Sequence, residues 1–286
     1  MEKVINRGLI PLEKSTDWLA ADLVYEVNVP DGNWTPFLTR FEKQRFRNVE
    51  TMACVSFSGN QICEMQIKQK TGVEVNFSDR FLAKCSGTTK QGNALSIVGD
   101  TLRNIGVVHE EEWPVPPEPF NWDNYYSDIP SFVIKKAKAQ FLDKYDVHYG
   151  SVSDHSPQNL LYHLKQAPLW VTIPGHAIAG CVVNVAGNKI TYFDTYEPAL
   201  KTVPISKLDA VKTLVLTIKE QQDNSFMFDI YDDNGTYFLV GDVGKWGIAD
   251  WETLGEFKRL SNKPVKVGST AHIPLVRNIE RGFSVS

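Results

Sequence analysis

The sequence predicts an α+β fold, because amphipathic helical patterns fill its first half and β-branched runs fill its second half. An N-terminal arm without regular periodicity precedes the helices, and a hairpin followed by a short helical pattern comes after the strands. We therefore divide the chain into an arm over residues 1–43, a main domain over 44–205, and a small ββα module with a tail over 206–286.

Four helical patterns lie in the first part of the main domain. The first runs from Ala53 to about Lys70, with Thr51 as a plausible N-cap and Gly72 as a C-cap, which puts Cys54 in the first turn. The other three cover residues 93–104, residues 131–142, and a stretch that begins at Pro157 behind the N-cap Ser156.

Three strands follow these helices. They are predicted at 168–173, 176–186 and 189–196, and a tight turn at Ala186-Gly187-Asn188 joins the last two. A break with an apolar run at 211–218 separates them from the C-terminal module, in which we expect a hairpin over 226–241 and a helix over 248–260.

Composition excludes several classes of protein. The 286 residues carry a net charge of −4 and contain no block of Lys and Arg, so nothing indicates nucleic-acid binding. The uncharged stretch Gln166–Asn188 is broken by prolines and glycines and predicts buried strands rather than a membrane span, and the charged N-terminus is not a signal peptide. Four cysteines do not make a disulfide framework, so we expect a protein of the reducing cytoplasm.

Cys54, His176 and Asp194 are the candidate catalytic residues. A helix N-terminus and a nearby imidazolium lower the pKa of a thiol, and Cys54 meets the first of these conditions. His176 begins a core strand, and counting back from the turn brings Asp194 opposite it, where a carboxylate would fix the imidazole tautomer. Each residue taken singly has another interpretation. Cys54 also fits a buried small side chain, His176 a structural histidine and Asp194 a turn former.

Neither a metal nor a cofactor is indicated. The remaining histidines lack the spacing of metal ligands, so the pattern does not indicate a zinc site. The glycine-containing stretch 241–245 lacks the spacing and the Ser or Thr of a phosphate loop.

Four segments in the same order resemble the papain-like cysteine peptidases. They are ACVSFS at 53–58, FSDRFLAKCSG at 77–87, the stretch GNALSIVGDTLRNIGVVHEEEWP at 92–114, and APLWVTIPGHAIAGCVV at 167–183. The resemblance covers about residues 44–200. It implies a papain-like fold and thiol-dependent cleavage of protein or peptide substrates, with Cys54 as the nucleophile, His176 as the base and Asp194 as the orienting residue.

The departures from the family pattern concern the oxyanion donor and a disulfide. The family's glutamine six residues before the nucleophile is Asn48 here, while Gln44 lies ten residues before it; we favour Gln44, whose side chain reaches further. Asp194 stands where the family usually has Asn. The cysteine that would pair with Cys85 falls at Thr51, so that disulfide cannot form, and the short arm shows no conventional inhibitory propeptide.

The resemblance also suggests a biological setting. Chains of this kind resemble papain-like proteins of bacteriophages, which implies virion assembly or cell entry, with other virion proteins as partners and incorporation into a virion. Two alternatives stay open: a structural protein that kept the fold and lost activity, and an amidase that cleaves the stem peptides of peptidoglycan.

Overall fold

The structure is a computed structural model that divides into two units, Met1–Lys219 and Glu220–Ser286. It describes residues 6–10, 26–46, 49–118 and 120–219 and, by backbone alone, five strands between residues 228 and 279. None of the helices in these ranges has the length and apolarity that a bilayer-spanning segment requires.

The described part of the first unit combines six α-helices with a small hairpin and a larger sheet. The helices are α1 Cys54–Thr71, α2 Asp79–Cys85, α3 Leu95–Asn104, α4 Trp122–Tyr125, α5 Ser131–Ala137 and α6 Pro157–Leu164. The strands are β1 Arg45–Phe46, β2 Val49–Glu50, β3 Tyr145–Ser151, β4 Leu169–Ile173, β5 His176–Asn184, β6 Lys189–Phe193, β7 Leu200–Pro204 and β8 Ala210–Ile218.

Six of these strands form one antiparallel sheet in the order β3-β8-β4-β5-β6-β7. The helical part and the antiparallel sheet confirm the predicted α+β class. The apolar run at 211–218 is β8, which lies between β3 and β4 rather than in a break. The unit therefore continues past residue 205, where we expected the main domain to end.

Helix α1 is the centre of the core. Every residue from Cys54 to Ile67 is buried, because the helix packs against strands β5 and β8 and against helices α2 and α3. Gly59 lets the helix approach β4, since a Cβ there would lie 3.2 Å from the Trp170 ring. Gln66 donates to the Leu214 carbonyl at 2.9 Å, and its own carbonyl oxygen accepts from the Leu216 N–H at 3.0 Å. These contacts fix the axis of α1, and therefore the position of its first residue.

The described strands of the second unit are β9 Phe228–Asp233, β10 Thr236–Gly241, β11 Gly244–Ile248, β12 Lys266–Val267 and β13 Leu275–Ile279. They form one sheet in the order β12-β9-β10-β11-β13. The expected hairpin is present as β9 and β10, and three further strands, β11, β12 and β13, extend its sheet. Most of the helix expected over 248–260 lies outside the described residues.

Candidate active site

Cys54 is the first residue of α1 and is completely buried. Its Sγ accepts a hydrogen bond from the backbone N–H of Ala177 at 3.4 Å, which ties the start of the helix to the start of β5. Burial raises the pKa of the thiol to about 12; the Ala177 hydrogen bond lowers it and the charge of Glu50 raises it. The thiol is therefore protonated in this arrangement, although a helix N-terminus favours an anion at that position.

His176 lies directly beside the residue that contacts the thiol. It is the first residue of β5, opposite Ile173 at the end of β4, and 1% of it is exposed. Its Nε2 lies 2.7 Å from Oδ1 of Asp194, which follows β6 at the adjacent strand end. The other ring nitrogen, Nδ1, is buried and has no hydrogen-bond partner among the described residues. The imidazole thus has one nitrogen held by a carboxylate and one nitrogen free for proton transfer.

Asp194 is held as an anion by its contacts with His176 and Lys201. Besides His176, the Lys201 Nζ on β7 lies 2.6 Å from Asp194 Oδ2, and the Tyr196 N–H donates to Oδ1 at 3.3 Å. Burial opposes ionisation of this carboxyl, but the His176 and Lys201 interactions outweigh it and the pKa lies below its ordinary value. An ionised Asp194 stabilises the imidazolium form of His176.

Gln44 lies beside these residues because a hairpin takes up the extra length of chain before Cys54. Strands β1 and β2 pair Arg45 with Glu50, and the Thr51 hydroxyl donates to the Gln44 carbonyl at 2.7 Å. The buried Gln44 side chain accepts from the Thr195 hydroxyl at 3.0 Å, next to Asp194 in the chain. Asn48, the other candidate oxyanion donor, lies outside the described residues.

Two further side chains, Tyr196 and Glu50, complete the site. The Tyr196 ring meets the His176 ring edge-to-face at 5.5 Å between centroids, and its hydroxyl donates to Glu50 Oε2 at 2.5 Å. Sequence reasoning missed both residues, and it also missed Lys201. The only available signal was position, since Tyr196 follows Asp194 by two residues and Glu50 precedes Cys54 by four.

A segment of the N-terminal arm, residues 6–10, crosses the site. Arg7 donates its N–H to the Gly175 carbonyl at 2.7 Å, next to His176, and its carbonyl accepts from Gln44 Nε2 at 2.7 Å. Its guanidinium lies 4.8 Å from the centroid of the Tyr196 ring. The sequence of the arm shows no conventional inhibitory propeptide, yet in the structure this segment contacts residues that surround Cys54.

Backbone contacts hold the rest of the segment. Asn93 donates its N–H to the Gly8 carbonyl at 2.8 Å, and the Ile10 N–H donates to the Asn93 carbonyl at 2.7 Å. Gly8 has a φ of +114°, and a Cβ at this position would overlap the Met52 carbonyl oxygen. The segment therefore requires glycine at this point of close approach.

The arrangement provides a thiol, an oriented imidazole and an amide donor. No group of three or more His, Cys, Asp or Glu residues suited to a metal ion occurs in the described part of the chain. All four cysteines are free thiols. This combination is suited to nucleophilic attack by sulfur on a carbonyl carbon.

Comparison with known proteins identifies the fold. No protein-family model matches the chain, and no curated protein matches its sequence. Solved structures do match. Xylellain, a cysteine protease from Xylella fastidiosa, aligns over 73% of this chain and 95% of its own with a TM-score of 0.56 at 15% sequence identity. Digestive procathepsin L 3 from the Tenebrio molitor larval midgut aligns over 74% of this chain and 77% of its own, with a TM-score of 0.52 at 13% identity.

These neighbours are papain-like cysteine proteases, and identities of 15% and 13% are informative about the fold alone. The helical part and the six-stranded antiparallel sheet of this chain are consistent with that fold, and the α+β class is the one that the sequence predicted. The chain has an α+β fold of the papain-like type.

Proposed function

We propose that this protein is a thiol-dependent hydrolase of peptide or isopeptide bonds. The observation that carries the proposal is the buried His176–Asp194 pair, 2.7 Å apart, beside a helix-terminal thiol that the neighbouring Ala177 N–H contacts. The papain-like fold and the protease neighbours support the same class of reaction.

In this mechanism Cys54 is the nucleophile and His176 is the base. The thiol proton passes to His176 Nδ1, the nitrogen that is free of partners among the described residues. The thiolate then attacks the carbonyl carbon, and the Gln44 Nε2–H and the Cys54 N–H are proposed to stabilise the oxyanion. The imidazolium returns its proton to the leaving amine, and water hydrolyses the thioester by the reverse sequence. Asp194 keeps the imidazole oriented throughout.

The segment 6–10 must leave the site before a substrate enters. The Gln44 amide already donates a hydrogen bond to the Arg7 carbonyl oxygen, and Cys54 is completely buried. The proposed enzyme is therefore latent in the arrangement described here, and its activity is governed by how often this segment dissociates.

The experiment that tests the proposal measures the alkylation rate of Cys54 by iodoacetamide against pH, with His176→Ala as the control. A thiolate–imidazolium pair gives labelling whose rate, scaled by how often the segment opens, is already near its maximum at pH 5–6, and this labelling disappears in the control. Labelling that rises only near the ordinary thiol pKa of about 8.5 and is unchanged in the control would contradict an active peptidase. Hydrolysis of a fluorogenic peptide, absent in Cys54→Ala, then identifies the reaction.

The biological setting remains a prediction from resemblance. A role in bacteriophage assembly or cell entry, incorporation into a virion, and synthesis in a reducing cytoplasm rest on that resemblance and on composition. An inactive structural protein would show Cys54 alkylation that rises only near the ordinary thiol pKa of about 8.5 and that is unchanged in His176→Ala. The amidase is distinguished by cleavage of purified cell wall without cleavage of denatured protein.

A further inference from the structure

The hydrogen bonds of the Gln44 amide indicate how this residue is oriented. An amide has two N–H donors and one carbonyl oxygen. The oxygen accepts from the Thr195 hydroxyl at 3.0 Å. The Nε2 end is identified by its two partners, a carboxylate and a carbonyl, because both of these can only accept. One Nε2 hydrogen bond goes to Glu50 Oε1 at 2.7 Å, and the other goes to the Arg7 carbonyl at 2.7 Å. Two partners thus belong to the folded site, and the third is a peptide carbonyl on the segment that crosses it.

Glu50 links the Gln44 amide to Tyr196, whose ring packs against the His176 imidazole. Its Oε1 accepts from Gln44 and from the Met52 N–H at 3.4 Å, while its Oε2 accepts from the Tyr196 hydroxyl at 2.5 Å. The Tyr196 ring packs against His176. One carboxylate therefore holds both the Gln44 amide and the Tyr196 hydroxyl.

We infer that Glu50 is a positioning residue for the oxyanion donor: it fixes the Gln44 amide so that one N–H points at the carbonyl oxygen of a bound peptide. The inference rests on the proposed function. In the structure the Arg7 carbonyl oxygen stands in for the substrate oxygen at that N–H. Charge-assisted hydrogen bonds of this kind are short and orient their partners strongly.

Because Glu50 carries a charge, the direction in which oxyanion binding changes when Glu50 is replaced tests the inference. A carboxylate near the thiol and the oxyanion opposes both negative charges, so a purely electrostatic role predicts a better oxyanion site once the charge is removed. A positioning role predicts the opposite, because Gln44 loses the acceptor that holds it. The two roles therefore change oxyanion binding in opposite directions.

The experiment compares two probes of Cys54 in the full chain. Acetyl-Ala-Ala-alaninal, a tripeptide aldehyde, forms a hemithioacetal whose oxygen uses the oxyanion donor, whereas iodoacetamide alkylates the thiol without one. Both probes need the segment 6–10 to open, so the ratio of aldehyde affinity to alkylation rate isolates the donor. The variants are Glu50→Ala, Glu50→Gln, Gln44→Ala and the Gln44→Ala/Glu50→Ala double. Glu197→Ala is the matched control, since that exposed carboxylate pairs only with Lys43 among the described contacts.

We expect the ratio to fall about tenfold or more in Glu50→Ala, by analogy with the cost of removing one oxyanion donor, about 10²–10³. Glu50→Gln keeps an acceptor for Gln44 and should recover most of the loss. The double variant should be no worse than Gln44→Ala alone, because Glu50 acts through Gln44.

Three outcomes would overturn the inference. The first is a ratio of aldehyde affinity to alkylation rate that rises in Glu50→Ala. The second is a ratio that is lower in the double variant than in Gln44→Ala. The third is an aldehyde affinity that is equal in the parent and in Gln44→Ala. A parent whose Cys54 shows no His176-dependent alkylation would instead refute the proposed function, and the inference with it.

Discussion

Replacing Gly8 with alanine should open the site. Gly8 has a φ of +114°, and a Cβ there would overlap the Met52 carbonyl oxygen. Backbone strain of this kind costs about 1–3 kcal/mol, and the overlap adds to it. At about 1.4 kcal/mol per factor of ten, the open population should increase about 5- to 150-fold.

The assay is the rate of Cys54 alkylation at pH 7, read by mass spectrometry of its peptide. The rate should increase in proportion to the open population, because Cys54 is completely buried when the segment is seated. Cys63 and Cys181 are also fully buried, and their labelling reports unfolding rather than opening.

Gly72→Ala provides the matched control. Gly72 has a φ of +72° at the C-cap of α1, and a Cβ there meets nothing within 4 Å. The variant therefore carries the backbone strain without touching the segment. Equal alkylation rates in folded Gly8→Ala and in the parent would refute the view that residues 6–10 close the site.

Two further predictions concern stability against pH. Burial raises the pKa of Glu64 to about 8. Its contribution to the free energy of unfolding is therefore fully present below the unfolded pKa of about 4.5 and is lost as pH rises through 8. The parent should lose on the order of a few kcal/mol over that range in urea titrations, and Glu64→Gln should lose less. Asp194 has a lowered pKa, so its contribution is present above its unfolded pKa and is lost as pH falls through the folded value. Lys201→Met removes one cause of that lowering, and acid unfolding should then begin at a higher pH.

Each of these two predictions has a control within the chain. Glu111→Gln changes an exposed carboxylate near the same region and should leave the pH profile as in the parent. Lys207→Met removes an exposed lysine for comparison with Lys201→Met. Parallel pH profiles of the parent and Glu64→Gln, or an unchanged acid midpoint in Lys201→Met, would contradict the respective assignment.

The parts of the site that follow strong local patterns were predictable from the sequence. Cys54 begins a helix with a glycine C-cap, His176 begins an apolar strand, and the turn between β5 and β6 brings the Asp194 side chain to the His176 end of β5. The register at the turn does not itself set this contact, because a bulge between Gly180 and Val182 shifts it. These are relations over short stretches of chain, for which helical period, strand alternation and turn residues are informative.

The parts that depend on distant pairing were not predictable. Strand β3 pairs with β8 across more than sixty residues, and an apolar run such as 211–218 carries no local sign of its partner. Glu50 and Tyr196 meet through a contact between residues 146 apart. The segment 6–10 binds mainly through its backbone, which leaves no side-chain pattern to detect.

The position of β8 also governs how the chain folds during synthesis. This strand is the last to be made in the first unit, yet it lies between β3 and β4 rather than at an edge. A nascent chain that has not yet emerged past Ile218 therefore has two unsatisfied strand edges, which are templates for association with other chains. A shortened protein intended to fold by itself must retain the chain through Lys219, where the first unit ends.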